Sequence, residues 1–298
     1  YGDHFNIRVA NLSLGKPISE SNTTDPLVHA VEALRDHGVV VVVAAGNLGA
    51  RGHMTVKSPA NSRKVITVGS LTDKGTGTIF TDDIVSSFSS RGPTAADNVL
   101  KPDLVAPGNR LIAAIPANAA LVLALPERLV QCTTPGCTGN YLELSGTSMA
   151  TPMVAATAAL MLQKELWLSP ATVKARLMQS ARKVAIDPTE AGAGVLDVDG
   201  ALNATGVARG QALSPLMLQA ATGGLLIEDT GQLWGDPVWA SGYLWADGYL
   251  WADGALVADG YLWADGYLWA DGYLWADGYL WADSYLWADS FTSLDDDE

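Results

Sequence analysis

The sequence predicts an α/β fold built on a parallel sheet, with a hexapeptide-repeat tail behind it. Three observations carry that reading. Two β-branched runs, VVVVVAAG at 39–46 and VITVGS at 65–70, suit strands buried on both faces. A helix-patterned segment stands between the first of them and an earlier strand candidate, which makes a βαβ unit with a right-handed crossover. After residue 241 the chain becomes a six-residue repeat.

The elements follow in order. RVANLSLG at 8–15 reads as a strand ending in glycine. Residues 25–37 read as a helix: Asp25 is the N-cap, Pro26 takes the first helical position, and Leu27, Val31 and Leu34 recur at helical spacing before Gly38. The stretch 85–110 is rich in loops, with short strand candidates at Ser86–Ser89 and Leu104–Ala106. TSMATPMVAATAALMLQKE at 147–165 is apolar almost all the way round, the pattern of a helix in the centre of a domain. Another helix starts at Ser169-Pro170, and GAGVLDVDGALN at 192–203 closes the unit. The expected division is a domain over 1–205, a linker over 206–241, repeats over 242–289 and an acidic end over 290–298.

Charge is unevenly spread over the 298 residues. The net charge is −14, the last base is Arg209, and fifteen Asp and Glu follow from residue 211. Such a tail argues against nucleic acid as partner, since phosphate binding needs clustered bases. No apolar run is long enough to span a membrane. Cys132 and Cys137 bracket a Thr-Pro-Gly turn, and a small disulfide loop there suits an oxidising compartment. Two thiols are too few for a structural zinc site.

Chemistry concentrates at Ser145-Gly146-Thr147-Ser148-Met149-Ala150-Thr151-Pro152. A serine stands at the start of a helix behind a glycine turn. The free N–H groups of a helix start point at whatever binds there, so an oxyanion formed by attack of Ser148 would meet the Ser148 N–H.

These residues, with the alanine-rich helix behind them, resemble the serine motif of the subtilase family of serine endopeptidases (peptidase S8). The resemblance runs over residues 7–203 and takes in NLSLG at 11–15, VVVAAGN at 41–47, FSSRGP at 88–93 and KPDLVAPG at 101–108, in the family's order. It implies a subtilisin-like domain with Ser148 as nucleophile and Asn47 as oxyanion donor. It further implies that Ser13, Leu14 and Gly15 pair with extended substrate, opposite a wall formed by Ala44, Ala45 and Gly46. Small residues suit a place where peptide backbone must approach closely.

The histidine that should activate Ser148 is not in evidence. His4, His29, His37 and His53 all precede it, which argues against an α/β-hydrolase order, and none lies in an HGTH-like pattern. The resemblance places base and orienting acid upstream of the matched region. The chain therefore reads as the C-terminal part of a catalytic domain, incomplete at its N-terminus and inactive by itself. A catalytically silent binding protein on the same scaffold is the competing reading. Family members are commonly extracellular, with a signal upstream. They often bind calcium through loops, so calcium is the one cofactor the resemblance leaves open; no clustered acidic ligand set is found before residue 200.

GYLWAD starts at Gly242 and repeats through eight units to Asp289, one drifted to GALVAD and the last beginning with Ser284. In a strand, Tyr, Trp and Asp would share one face and Gly, Leu and Ala the other. Asp-Gly between short YLWA runs is a hairpin signal; stacked hexads could also form a β-solenoid, and a spacer is the third arrangement. Aromatic repeats of this kind also suit contact with carbohydrate or a cell surface.

Overall fold

The computed structural model describes residues 6–77, 80–132, 139–182, 184, 186–208 and 210–219, and beyond these a set of strands by their backbone alone. A parallel sheet forms the centre. It runs β1 (Val9–Leu12), β2 (Val40–Ala44), β3 (Ile66–Thr72) and β5 (Leu104–Pro107), with β4 (Ile84–Val85) antiparallel to the end of β3.

The five residues of β2 are buried on both faces. Val40 and Val42 pack with Ile66, Val68, Leu104 and Ala106 on one side. Val39, Val41 and Val43 pack with Val31 and Val65 on the other. Helix α1 (Pro26–Asp36) covers the second side; Asp25 caps it by accepting from Leu27 N, Pro26 opens it, and Gly38 follows at φ +91°.

After β5 the chain makes a second, antiparallel sheet absent from the sequence reading. Its strands are β6 (Leu111–Ile115), β7 (Leu129–Val130) and β8 (Asn140–Leu144), in the order β6-β8-β7, with α2 (Ala120–Ala124) between the first two. Cys132 is disulfide-bonded; Cys137, its expected partner, lies outside the described residues. Ser86–Ser89, a strand candidate, is a turn closed by Ser89 N donating to Ser86 O. Its serines serve the neighbouring strand, since Ser70 N donates to Ser89 Oγ.

Helix α3 (Thr147–Lys164) lies on the first side of the sheet, with α4 (Pro170–Ser180), the short α5 (Pro188–Ala191) and α6 (Val198–Asn203) following. Ser169 caps α4 by accepting from Thr172 N. Ala150, Val154, Ala158 and Met161 of α3 are buried against β2, β3 and β5. The opposite stripe is not: Met153 is 42% and Leu160 44% exposed, and Pro152, Ala156 and Ala159 are exposed with them. The apolar circumference of α3 thus exceeds what the described residues cover.

Residues 211–217, placed by sequence in a linker, are held against the domain. Ser214 N donates to Arg63 O, Leu100 N to Pro215 O and Met217 N to Asn98 O, while Arg35 Nη2 donates to Gln211 O. Ser214 Oγ also reaches a fully buried group of charges. Asp103 accepts from Thr67 N, Lys101 Nζ and Ser214 Oγ at 2.7, 2.7 and 2.6 Å, and Lys174 Nζ lies 3.4 Å away. Burial works to raise the Asp103 pKa, but the two ammoniums and the hydrogen bonds outweigh it and hold the carboxyl below its ordinary value. Burial drives Lys174 well below the ordinary ammonium value, against the pull of Asp103.

Next come an antiparallel pair, β9 (Leu216–Gln219) and β10 (Leu225–Glu228), and then the repeat strands. These are β11 (Leu244–Ala246), β12 (Tyr249–Ala252), β13 (Leu256–Ala258), β14 (Leu262–Ala264), β15 (Tyr267–Ala276), β16 (Leu280–Ala282) and β17 (Tyr285–Ser293). The pairings described for them are parallel.

Candidate active site

Ser148 occupies the second position of α3, behind Gly146 as N-cap. Gly146 has no side chain to cap this helix; Thr147 N is taken up by Asn47 and Met149 N by Gly146 O, which leaves Ser148 N as the N–H of the first turn facing outward from these bonds. Thr147 N donates to Asn47 Oδ1 at 3.0 Å and Thr147 Oγ1 donates to the same oxygen at 3.0 Å. A backbone N–H can only donate, so the Asn47 oxygen faces Thr147 and its Nδ2 is turned away.

Gly146 reports where that nitrogen stands. A β-carbon at Gly146 would lie 3.3 Å from Asn47 Nδ2 and 3.6 Å from Ser148 N. Two nitrogen donors thus stand within 4 Å of one point beside Ser148, and glycine puts no side chain there. Such an arrangement stabilises negative charge on an oxygen placed there.

The loop that carries Asn47 is fixed from behind. Gly46 has φ +114°, a conformation that favours glycine, and its N–H donates to Thr147 Oγ1 at 3.2 Å. Ser90 N donates to Gly46 O and Leu48 N donates to Ser90 Oγ. Gly49 lies so close to Ser89 that a β-carbon would stand 1.9 Å from the Ser89 carbonyl oxygen. The FSSRGP segment is therefore the brace of the Asn47 loop, a role that its sequence did not disclose.

Ser13 meets Ser148 directly. Ser13 Oγ donates to Ser148 O at 2.9 Å, and Ser148 Oγ lies 3.5 Å from Ser13 O. Ser13, Leu14 and Gly15 are exposed, with Leu14 at 52%. Ala44 and Ala45 are buried; Ala45 N donates to Val68 O and Ala45 O accepts from Lys57 N.

None of the described histidines hydrogen-bonds Ser148. His29 Nε2 bonds Thr23 O, His37 Nδ1 bonds Ala33 O, and His53 Nδ1 bonds Gly92 O. His4 lies outside the described residues.

A family model described as the subtilase family matches residues 3–201. The chain belongs to the subtilase family. Serine protease AprX of Bacillus subtilis (strain 168) is 41% identical to this subtilase over 196 residues, covering 65% of this chain and 42% of that protein. Subtilisin DY of Bacillus licheniformis is 33% identical over 194 residues, covering 65% of this chain and 56% of its own length. The chain thus spans about half the length of these relatives. Among solved structures, the Prenylagaramide maturation protease PagA matches with a TM-score of 0.50 and 25% identity over 69% of this chain and 65% of that one. The matched span holds the Asn47 loop, its FSSRGP brace and the Ser148 helix start, and ends before the 211–217 strap and the repeats. Among the described residues no helix is long and apolar enough to cross a membrane, and no group of His, Cys, Asp and Glu could hold a metal.

Proposed function

We propose that this subtilase is the nucleophile-bearing part of a secreted serine endopeptidase. The closeness of Asn47 Nδ2 and Ser148 N to one point beside Ser148 carries the reading. Ser148 Oγ attacks the scissile carbonyl carbon and its proton passes to a base. The carbonyl oxygen becomes an oxyanion held by Asn47 Nδ2 and Ser148 N. Collapse expels the amine, protonated by the same base, and leaves an acyl-Ser148 ester. Water attacks that ester, with the base taking its proton, and frees Ser148. The exposed Ser13-Leu14-Gly15 backbone pairs with extended substrate as an added strand, opposite Ala44-Ala45-Gly46.

The base and its orienting acid come from polypeptide other than the described residues. Two observations support this. The described histidines bond elsewhere, and the exposed apolar stripe of α3 runs from the nucleophile end of the helix without cover. The disulfide at Cys132 supports an oxidising, extracellular setting.

A peptide substrate and an activated peptidyl ester separate the two halves of the proposal. A p-nitrophenyl ester needs no protonated leaving group, so the chain alone should release nitrophenol slowly in a Ser148-dependent way, while leaving peptide bonds intact. Release unchanged in Ser148→Ala would overturn the nucleophile assignment. Rapid Ser148-dependent peptide cleavage by the chain alone would overturn the external base.

A further inference from the structure

We propose that the hexad tail joins copies of this chain head to tail, the last coil of one copy continuing the ladder onto the first coil of the next. Leu244 faces Leu262 and Leu262 faces Leu280. Tyr249 faces Tyr267 and Tyr267 faces Tyr285. Leu256 faces Leu274, and Leu274 faces Phe291. Hexad stacks on hexad three hexads apart, so each coil takes three hexads and one hexad is one side of it, although β15 and β17 each run through two of them without a break.

Three ladders result. One is β11-β14-β16; the second joins β12, the first half of β15 and the first half of β17; the third joins β13 with their second halves. In the first coil β11, β12 and β13 pair only toward the middle coil, and so do β16 and β17 in the last. Among the described residues both ends of the stack are therefore unpaired strand edges, with β10 beside β13 at the first, and unpaired edges template further pairing.

The repeat itself identifies what fits those edges. On the first two sides the sequence is the same in every coil: LWA at 244–246, 262–264 and 280–282, and YLWA at 249–252, 267–270 and 285–288. The last coil of one copy thus meets on the first coil of another what it already meets within its own chain. Only the third side differs, because both end coils depart from GYLWAD there: β13 carries LVA and the end of β17 carries SFTS. Joining unlike ends is a heterologous contact, which propagates into open chains rather than closing as a dimer. Every hexad carries an Asp and the region has no base, so stacking gathers like charge and strengthens with added salt.

Trp251 faces Trp269 and Trp269 faces Trp287, so the continued register sets Trp287 of one copy opposite Trp251 of the next. Sedimentation of the full chain tests this with two single variants, Trp251→Glu at the first edge and Trp287→Glu at the last. The parent chain is expected to form species growing with concentration and with salt. Each variant alone is expected to sediment as a monomer, with circular dichroism unchanged. Their mixture is expected to give a species of twice the monomer mass and nothing larger, because one unaltered edge of each variant can still meet the other. A parent chain monomeric at all concentrations overturns the proposal, including one retained on polysaccharide as a monomer. So does self-association that both variants retain, which would place the contact elsewhere, for instance on the open face of α3.

Discussion

Replacing Gly146 by alanine puts a methyl group beside the two nitrogens proposed to hold the oxyanion. Its carbon would stand 3.3 Å from Asn47 Nδ2 and 3.6 Å from Ser148 N. An oxyanion bound by those donors needs roughly 2.7–3.1 Å to each, so the methyl group and the oxygen compete for one volume. Loss of a single asparagine donor costs about 100- to 1000-fold in turnover in subtilisin, a relative from which that scale is taken. The alanine displaces the oxygen from both donors, so a loss of at least about 100-fold is expected. In subtilisin-type and similar enzymes the oxyanion hole and binding alone retain roughly 1000- to 10,000-fold catalysis over water, which leaves a measurable signal to lose. The fold should absorb the change, with the Asn47 amide giving way by a few tenths of an ångström. Gly146 has φ 161°, extended backbone open to any residue, and the next atom a methyl would meet is Met149 Sδ at 3.7 Å. The assay is hydrolysis of a peptidyl p-nitrophenyl ester by the parent chain, Gly146→Ala and Ser148→Ala, with thermal unfolding of each. Ester hydrolysis by Gly146→Ala within threefold of the parent, at unchanged stability, would refute the oxyanion site.

Three other outcomes follow from the same structure. Asp103→Asn leaves the buried ammoniums of Lys101 and Lys174 without a counter-charge, and urea unfolding should report a loss of about 3–5 kcal/mol. Because folding depresses the Lys174 pKa, the unfolded chain binds more protons between that lowered value and the ordinary lysine value near 10.5. Stability should therefore rise with pH through that window, and Lys174→Met should flatten the rise in the unfolding midpoint. Leu160→Gln alters only an exposed position on α3, so stability should move by less than about 0.5 kcal/mol while binding of a hydrophobic dye falls.

What the sequence disclosed follows from how local each signal is. The Asp25 and Ser169 caps were readable because a cap needs only its own neighbours. The β2 run was readable because burial on both faces leaves no polar alternation. The second sheet was not, since its strands pair Leu111 with Leu144 and carry mixed, half-exposed residues with no clean period. Ser148 and Asn47 could be picked out as candidates from motifs, yet the Asn47 loop is tied to the Ser148 helix by Thr147 donating across the chain to the Asn47 oxygen, a contact no spacing rule reveals. The open stripe of α3 was hidden for another reason. An apolar residue in a sequence carries no mark of whether its partner is present.

Residues 211–217 are a mechanical element. Where a free linker would hinge, the chain is instead stitched to Arg63, Asn98 and Leu100 and pinned at Ser214 to the Asp103 charges. A pull on the tail is shared among several hydrogen bonds, one of them at the buried carboxylate between β3 and α4. A pull arriving from the tail side loads Met217 N on Asn98 O first and reaches the Asp103 carboxylate beside the sheet only through Ser214.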